Sequence, residues 1–224
     1  MPFIIFLKSF EVLLYEIMSW LVFYPRTLWR SVRHPLQLMK RSQHELELPA
    51  PDQFKDVVSP PIFLLLTVLV AHAFEMALVG NSPLIDNGIG LAGLIQDNSG
   101  LILFRLIVFA TLPLIAGAFA LIVMQRPLDR DTLQPFFYAQ CFATTPVVLM
   151  CSIAASLTRL PQPSADVPAG ALFAAAGAFY VGVEAAWFKE ESERRPLIAT
   201  LWSLAALAIS MGVLAVTLLL FAGV

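Results

Sequence analysis

The sequence predicts an all-α, polytopic membrane protein with five transmembrane helices preceded by an amphipathic interfacial helix. Three observations predict it. Of 224 residues, 58% are hydrophobic and 13% charged, with a mean hydropathy of +0.78, more apolar surface than one water-facing core could hide. Five apolar stretches of bilayer-crossing length fill the chain from Ile62 to Val224. The net charge is only −2 and the pI near 5.9, yet the basic residues are clustered, as topology-setting charge is.

The first apolar run, residues 2–7, has no positive residue before it. It is interrupted by Lys8 and Glu11 and leads to no small-x-small cleavage site, so it is expected to be retained. Over residues 3–24 the apolar residues come at helical spacing, while Lys8, Glu11, Tyr15, Glu16 and Ser19 project within roughly 80° of one another. This predicts a helix on the membrane surface, or one packed on the protein's own spans. Pro25 should restart the chain and Pro35 break it again, giving short helices over 26–34 and about 36–46. Residues 48–61 read as a linker with one turn capped by Asp52. Ser59 then serves as N-cap, with Pro60 and Pro61 in the first turn of the next helix. Residues 1–60 thus form an interfacial segment, and residues 61–224 the transmembrane domain.

The spans read 62–78, 101–124, 136–157, 169–188 and 199–221. Of the lysines and arginines, twelve fall on the side of the N-terminus. Only Arg159, in a loop, and Arg105, just inside a span, fall on the other. That bias predicts a multi-pass protein of a cell inner membrane, N-terminus cytoplasmic and C-terminus periplasmic. Thr111 to Pro113 and Thr144 to Pro146 predict kinks in which a hydroxyl occupies a freed carbonyl, with an ion site as the alternative. Cys141 and Cys151 lie ten residues apart on one helix, roughly 15 Å, too far to bridge.

Few residues could carry chemistry. Gly88, Gly90 and Gly93 match a dinucleotide fingerprint in spacing, but no strand precedes them, and no cofactor is implied. Glu75 and Arg105 should lie at the same depth of successive antiparallel spans, which predicts an ion pair between them. Alternatively, Glu75 and His72, three residues apart, hold a proton, an ion or a polar head group. A metal needs more ligands than these two offer. Glu184 should snorkel to the interface or pair with Arg126, Arg194 or Arg195, in a structural role. Gly170, Ala174, Ala178, Gly182 and Ala186 form a row that admits a close helix, from this chain or a second copy. Glu184 lies on the opposite side of that helix. The fourth span should therefore be contacted on both faces, or placed so that Glu184 reaches the head groups. The cluster Arg26, Trp29, Arg30, Arg33, Lys40 and Arg41 is the candidate for binding anionic inner-leaflet lipid or a membrane-protein partner. Its bland alternative is charge that only sets topology. Glu45 and Glu47 follow at once, which argues against nucleic acid.

Two stretches, Tyr24-Pro-Arg-Thr-Leu-Trp-Arg-Ser-Val-Arg-His-Pro35 and Val58-Ser-Pro-Pro-Ile-Phe-Leu-Leu65, resemble bacterial members of the Yip1 family. Tyr138-Ala-Gln-Cys-Phe-Ala-Thr-Thr-Pro146 is similar to that family's third span. The resemblance implies a basic cytoplasmic N-terminal segment, a Ser-Pro entry to the first span and five spans. Eukaryotic relatives carry an Asp-Leu-Tyr-Gly-Pro element in vesicle traffic. Here Pro51-Asp-Gln-Phe-Lys-Asp-Val-Val-Ser-Pro60 stands instead, so neither a trafficking role nor a GTPase partner carries over. No catalytic residue is implied. The expectation is a non-enzymatic protein acting through lipid or partner contacts, with a small permease or ion pathway through His72, Glu75 and Arg105 as the rival.

Overall fold

A computed structural model of the chain describes residues 2–49, 52–80, 98–192 and 196–222. Among these there are seven α-helices and no strand: α1 (Pro2–Arg33), α2 (Pro35–Glu45), α3 (Pro60–Val79), α4 (Asn98–Val123), α5 (Arg130–Leu157), α6 (Asp166–Ser192) and α7 (Pro196–Ala222). A 3₁₀ turn, Pro163–Ala165, leads into α6. Five of the helices, α3 to α7, are long and apolar enough to cross a membrane.

Two helices outrun their apolar cores. α5 starts at Arg130 rather than near residue 136, because Asp129 and Thr132 form a reciprocal capping box, Thr132 N–H donating to Asp129 Oδ1 at 2.9 Å. That exchange also holds the Asp129 carboxyl below the usual range, chiefly through the backbone N–H of Thr132. α6 continues through Lys189 to Ser192, past the predicted end at 188. Hydropathy traces the hydrocarbon layer, whereas hydrogen bonds and caps decide where a helix stops.

Pro25 does not restart the chain: α1 is one helix of 32 residues running through it. The proline leaves the carbonyl of Leu21 without its helical donor, at a position where Leu21 is exposed. Just beyond, α1 is held down by buried Thr27 and Ser31 and by Tyr24. Thr27 Oγ1 accepts from the Val58 N–H at 3.0 Å, Tyr24 Oη lies 2.9 Å from Thr67 Oγ1, and the Tyr24 ring packs 5.6 Å from Phe63. Residues 8–18 of α1, by contrast, are exposed all round, so this part does not pack on the protein's own spans.

Ser59 does cap α3, followed by Pro60 and Pro61, but by position only: its side chain makes no cap hydrogen bond. Gly80 closes α3 at a φ of 84°, where a side chain would be strained. Helices α4 and α5 run through Pro113, Pro135 and Pro146. Thr111 Oγ1 donates to the Val108 carbonyl and Thr145 Oγ1 to the Cys141 carbonyl, each at 2.6 Å. Each is one residue short of the carbonyl its proline frees, Phe109 or Phe142, so the hydroxyls do not fill those gaps as expected.

α5 is the central and most buried span, packed by α3, α4 and α6, while α7 lies against α6 and α4. α2 crosses the end of α5 and seals the core with Leu38 and Met39. Beneath them Phe63, Phe136, Phe142, Trp187 and Phe188 are buried. Their rings meet edge-on or tilted, Phe136 to Trp187 at 5.7 Å and Phe63 to Phe142 at 5.9 Å, the separations favoured by ring quadrupoles. Close approach of α4 to α5 depends on Gly117, where a Cβ would come 3.2 Å from the backbone N of Phe137.

Candidate functional site

The basic segment divides into two sets of residues. Arg30 and Arg41 both reach Asp56, with Arg30 Nη1 and Arg41 Nη1 each 3.0 Å from Asp56 Oδ2. Arg41 also pairs with nearly buried Glu45 at 2.5 Å, whose carboxylate accepts the Phe54 N–H as well. The guanidinium of Arg41, helped by Arg30, holds the Asp56 carboxyl down at about 2. Lys40 pairs with Glu190 at 2.8 Å and Arg126 with Glu191 at 3.2 Å, both pairs exposed and individually weak. Arg30 and Arg41 therefore tie α1 and α2 to the linker that carries Asp56, and Lys40 reaches α6 through Glu190, so all three are engaged within the chain.

Arg26, Trp29 and Arg33 are different. All three are exposed, and 100° per residue puts them within roughly 60° of one another on α1. Arg33 lies over the Trp29 ring at 5.4 Å, a cation–π contact, and Trp29 is 63% exposed. Exposed Leu21, Val22 and Val32 flank them.

At the far face of the bundle, where α3 and α5 end and α4 begins, Glu75 pairs with Arg105 as the matching depths predict. Arg159 also pairs with Glu75, on its other oxygen. Read in sequence as a loop charge, Arg159 sits two residues beyond α5, and the reasoning that matched Glu75 to Arg105 would have found it, because α5 ends at that face too. His72 is 7% exposed, with Nδ1 3.4 Å from Arg105 Nη1. A guanidinium can only donate, so Nδ1 is the acceptor there. The three side chains border a cavity of about 350 Å³ lined mainly by apolar groups of α3 to α7.

Glu184 overturns its prediction. It neither snorkels nor meets Arg126; it is fully buried, facing α5, and accepts from Gln140 Nε2 at 3.1 Å. Glu184 Oε1, Gln140 Oε1 and Trp187 Nε1 are buried without a hydrogen-bond partner among the described residues. Sequence reasoning missed Gln140, whose signal was a lone amide in an apolar run. With Glu184 inward, the row opposite it turns outward: Gly170, Ala174, Ala178 and Gly182 are exposed and Ala186 is half-buried. A Cβ added at Gly170 or Gly182 would meet nothing within 4 Å. No described helix of this chain packs on that row, so among the described residues α6 is not contacted on both faces. Arg194, Arg195 and the glycine spacing from Gly88 to Gly93 lie outside the described residues. Cys141 and Cys151 are both free thiols on α5.

No family model matches the chain, and no curated protein or solved structure matches it.

Proposed function

We propose that this is a non-enzymatic integral protein of a bacterial inner membrane, of Yip1-like type, acting through contacts of its basic N-terminal segment with anionic lipid. In this reading the N-terminus is cytoplasmic and the C-terminus periplasmic. One observation carries it. Once the own-chain pairs are removed, Arg26, Trp29 and Arg33 remain together on one side of α1 among exposed apolar side chains. Basic and amphipathic aromatic groups side by side are the composition of a membrane-interface anchor, each cation contributing about 1 kcal/mol near an anionic surface. The outward row of small residues on α6 supports contact with a neighbouring membrane helix, from a partner or a second copy.

The test is hydrogen–deuterium exchange over residues 20–33 in phosphatidylcholine nanodiscs with and without phosphatidylglycerol. Exchange should slow in the anionic discs, and the double variant Arg26→Glu/Arg33→Glu should abolish the difference while α2 stays protected by its own clamp. Equal exchange in both lipids would reject lipid docking.

The rival, a permease or ion pathway through His72, Glu75 and Arg105, fits less well. Two guanidiniums on one carboxylate repel a cation. Ion flux in proteoliposomes that Glu75→Gln abolishes would restore it.

A further inference from the structure

The geometry points to a binding site for an anionic amphiphile, a single oxyanion head on an alkyl chain, in the cavity between α3, α4, α5 and α6 at the face opposite α1 and α2. Charge is the first ground. Among the described residues Glu75 is answered by two arginines and His72 offers Arg105 only an acceptor, so the cluster carries one positive charge more than it neutralises. An uncompensated cation beside apolar walls draws a counter-anion, because little water is there to solvate it. The second ground is donor geometry. The contacts of these arginines with Glu75 and His72 use Nη1, which leaves Nη2 and Nε of each without a partner among the described residues and open to an oxyanion, the fork that matches phosphate or carboxylate.

The third ground is shape. Arg159 follows the end of α5, where its side chain is 30% exposed, while Arg105 is only 16% exposed. The charged rim is therefore at one end of the cavity. Below it the walls are Phe104, Val108, Phe109, Phe173 and Leu214. The space exists because α5 presents Ser152, Ala155 and Ser156 there, side chains too small to meet the opposite helices. A head at the rim and one chain along these walls satisfies both surfaces; inorganic phosphate would leave the walls empty, and a neutral detergent would leave the charge unanswered.

The full-length protein in dodecyl maltoside, titrated with dodecyl phosphate and read by native mass spectrometry, tests this. One equivalent should bind saturably, dodecanoate should compete, and inorganic phosphate at the same concentration should not. Arg159→Gln should weaken binding by at least about tenfold. Because Arg105 still holds Glu75 in that variant, folding is maintained, and an unchanged melting temperature checks it. Ser152→Phe fills the cavity without touching a charge and should abolish binding. Equal affinity in wild type and Ser152→Phe, or equal binding of inorganic phosphate, would overturn the site. Delipidated protein in phosphatidylglycerol against phosphatidylcholine identifies the source. Retained phosphatidylglycerol displaced by dodecyl phosphate supports the site with a membrane lipid as occupant, and dodecyl phosphate without phosphatidylglycerol supports it with a free alkyl acid.

Discussion

Asp56 is the residue on which the N-terminal segment hangs, since it alone receives both Arg30, from α1, and Arg41, from α2. Its carboxyl is held at about 2, below its ordinary value near 4 in an unfolded chain. The clamp therefore contributes fully above about pH 4 and is lost as the pH falls from there towards 2. Asp56→Asn should lower the melting temperature of the purified protein at pH 6 and speed exchange in α2. The gap between variant and wild type should close as the pH drops through that window; a gap independent of pH would place the stabilisation elsewhere. None of this was legible in sequence. Asp56 and Arg30 are 26 positions apart, and Gln140 and Glu184 are 44 apart. Charges can be counted along a chain, but their partners are fixed by packing. Glu75 and Arg105 were the exception, because two antiparallel spans joined in succession impose a common depth.

At the scale of the element, the existence of the five apolar helices was legible, their ends only in part, and their facing was not. Each apolar run became a helix, because backbone groups in lipid have no other donors and acceptors to use. Periodicity correctly set the small row of α6 opposite Glu184, yet could not say which side turned inward. In a soluble helix the apolar stripe marks the core; with lipid outside, both faces are apolar and the contrast vanishes. Two glycines separate the cases. Gly117 stands where α4 meets the backbone of α5, so Gly117→Leu must push the helices apart and should cost about 1–3 kcal/mol or more. Gly182 faces open space, so Gly182→Leu should leave the isolated protein's melting temperature nearly unchanged. Thermal unfolding of both variants in detergent decides it, and similar losses at both sites would show that the outward face of α6 is already covered.

For the whole molecule, the proposed topology has five helices crossing, which would put the N-terminal segment and the end of α7 in different compartments whichever side comes first. The direction rests on charge alone. The sequence assigns twelve lysines and arginines to the N-terminal side, and the two assigned to the far side, Arg105 and Arg159, are both drawn onto Glu75. Glu75 neutralises one of those two charges, so the asymmetry is stronger than the bare count. Single cysteines in a background with Cys141 and Cys151 replaced should report it. Gln37→Cys, exposed on α2, should react with a membrane-impermeant maleimide only after lysis, and Gln162→Cys, exposed between α5 and α6, should react on intact spheroplasts. Arg159→Gln should leave both results unchanged, since it removes a charge already engaged and already outnumbered. Labelling of both positions from one side would mean that one of the three helices between them, α3, α4 or α5, does not cross, and reversed labelling would mean that the basic face is not the cytoplasmic one.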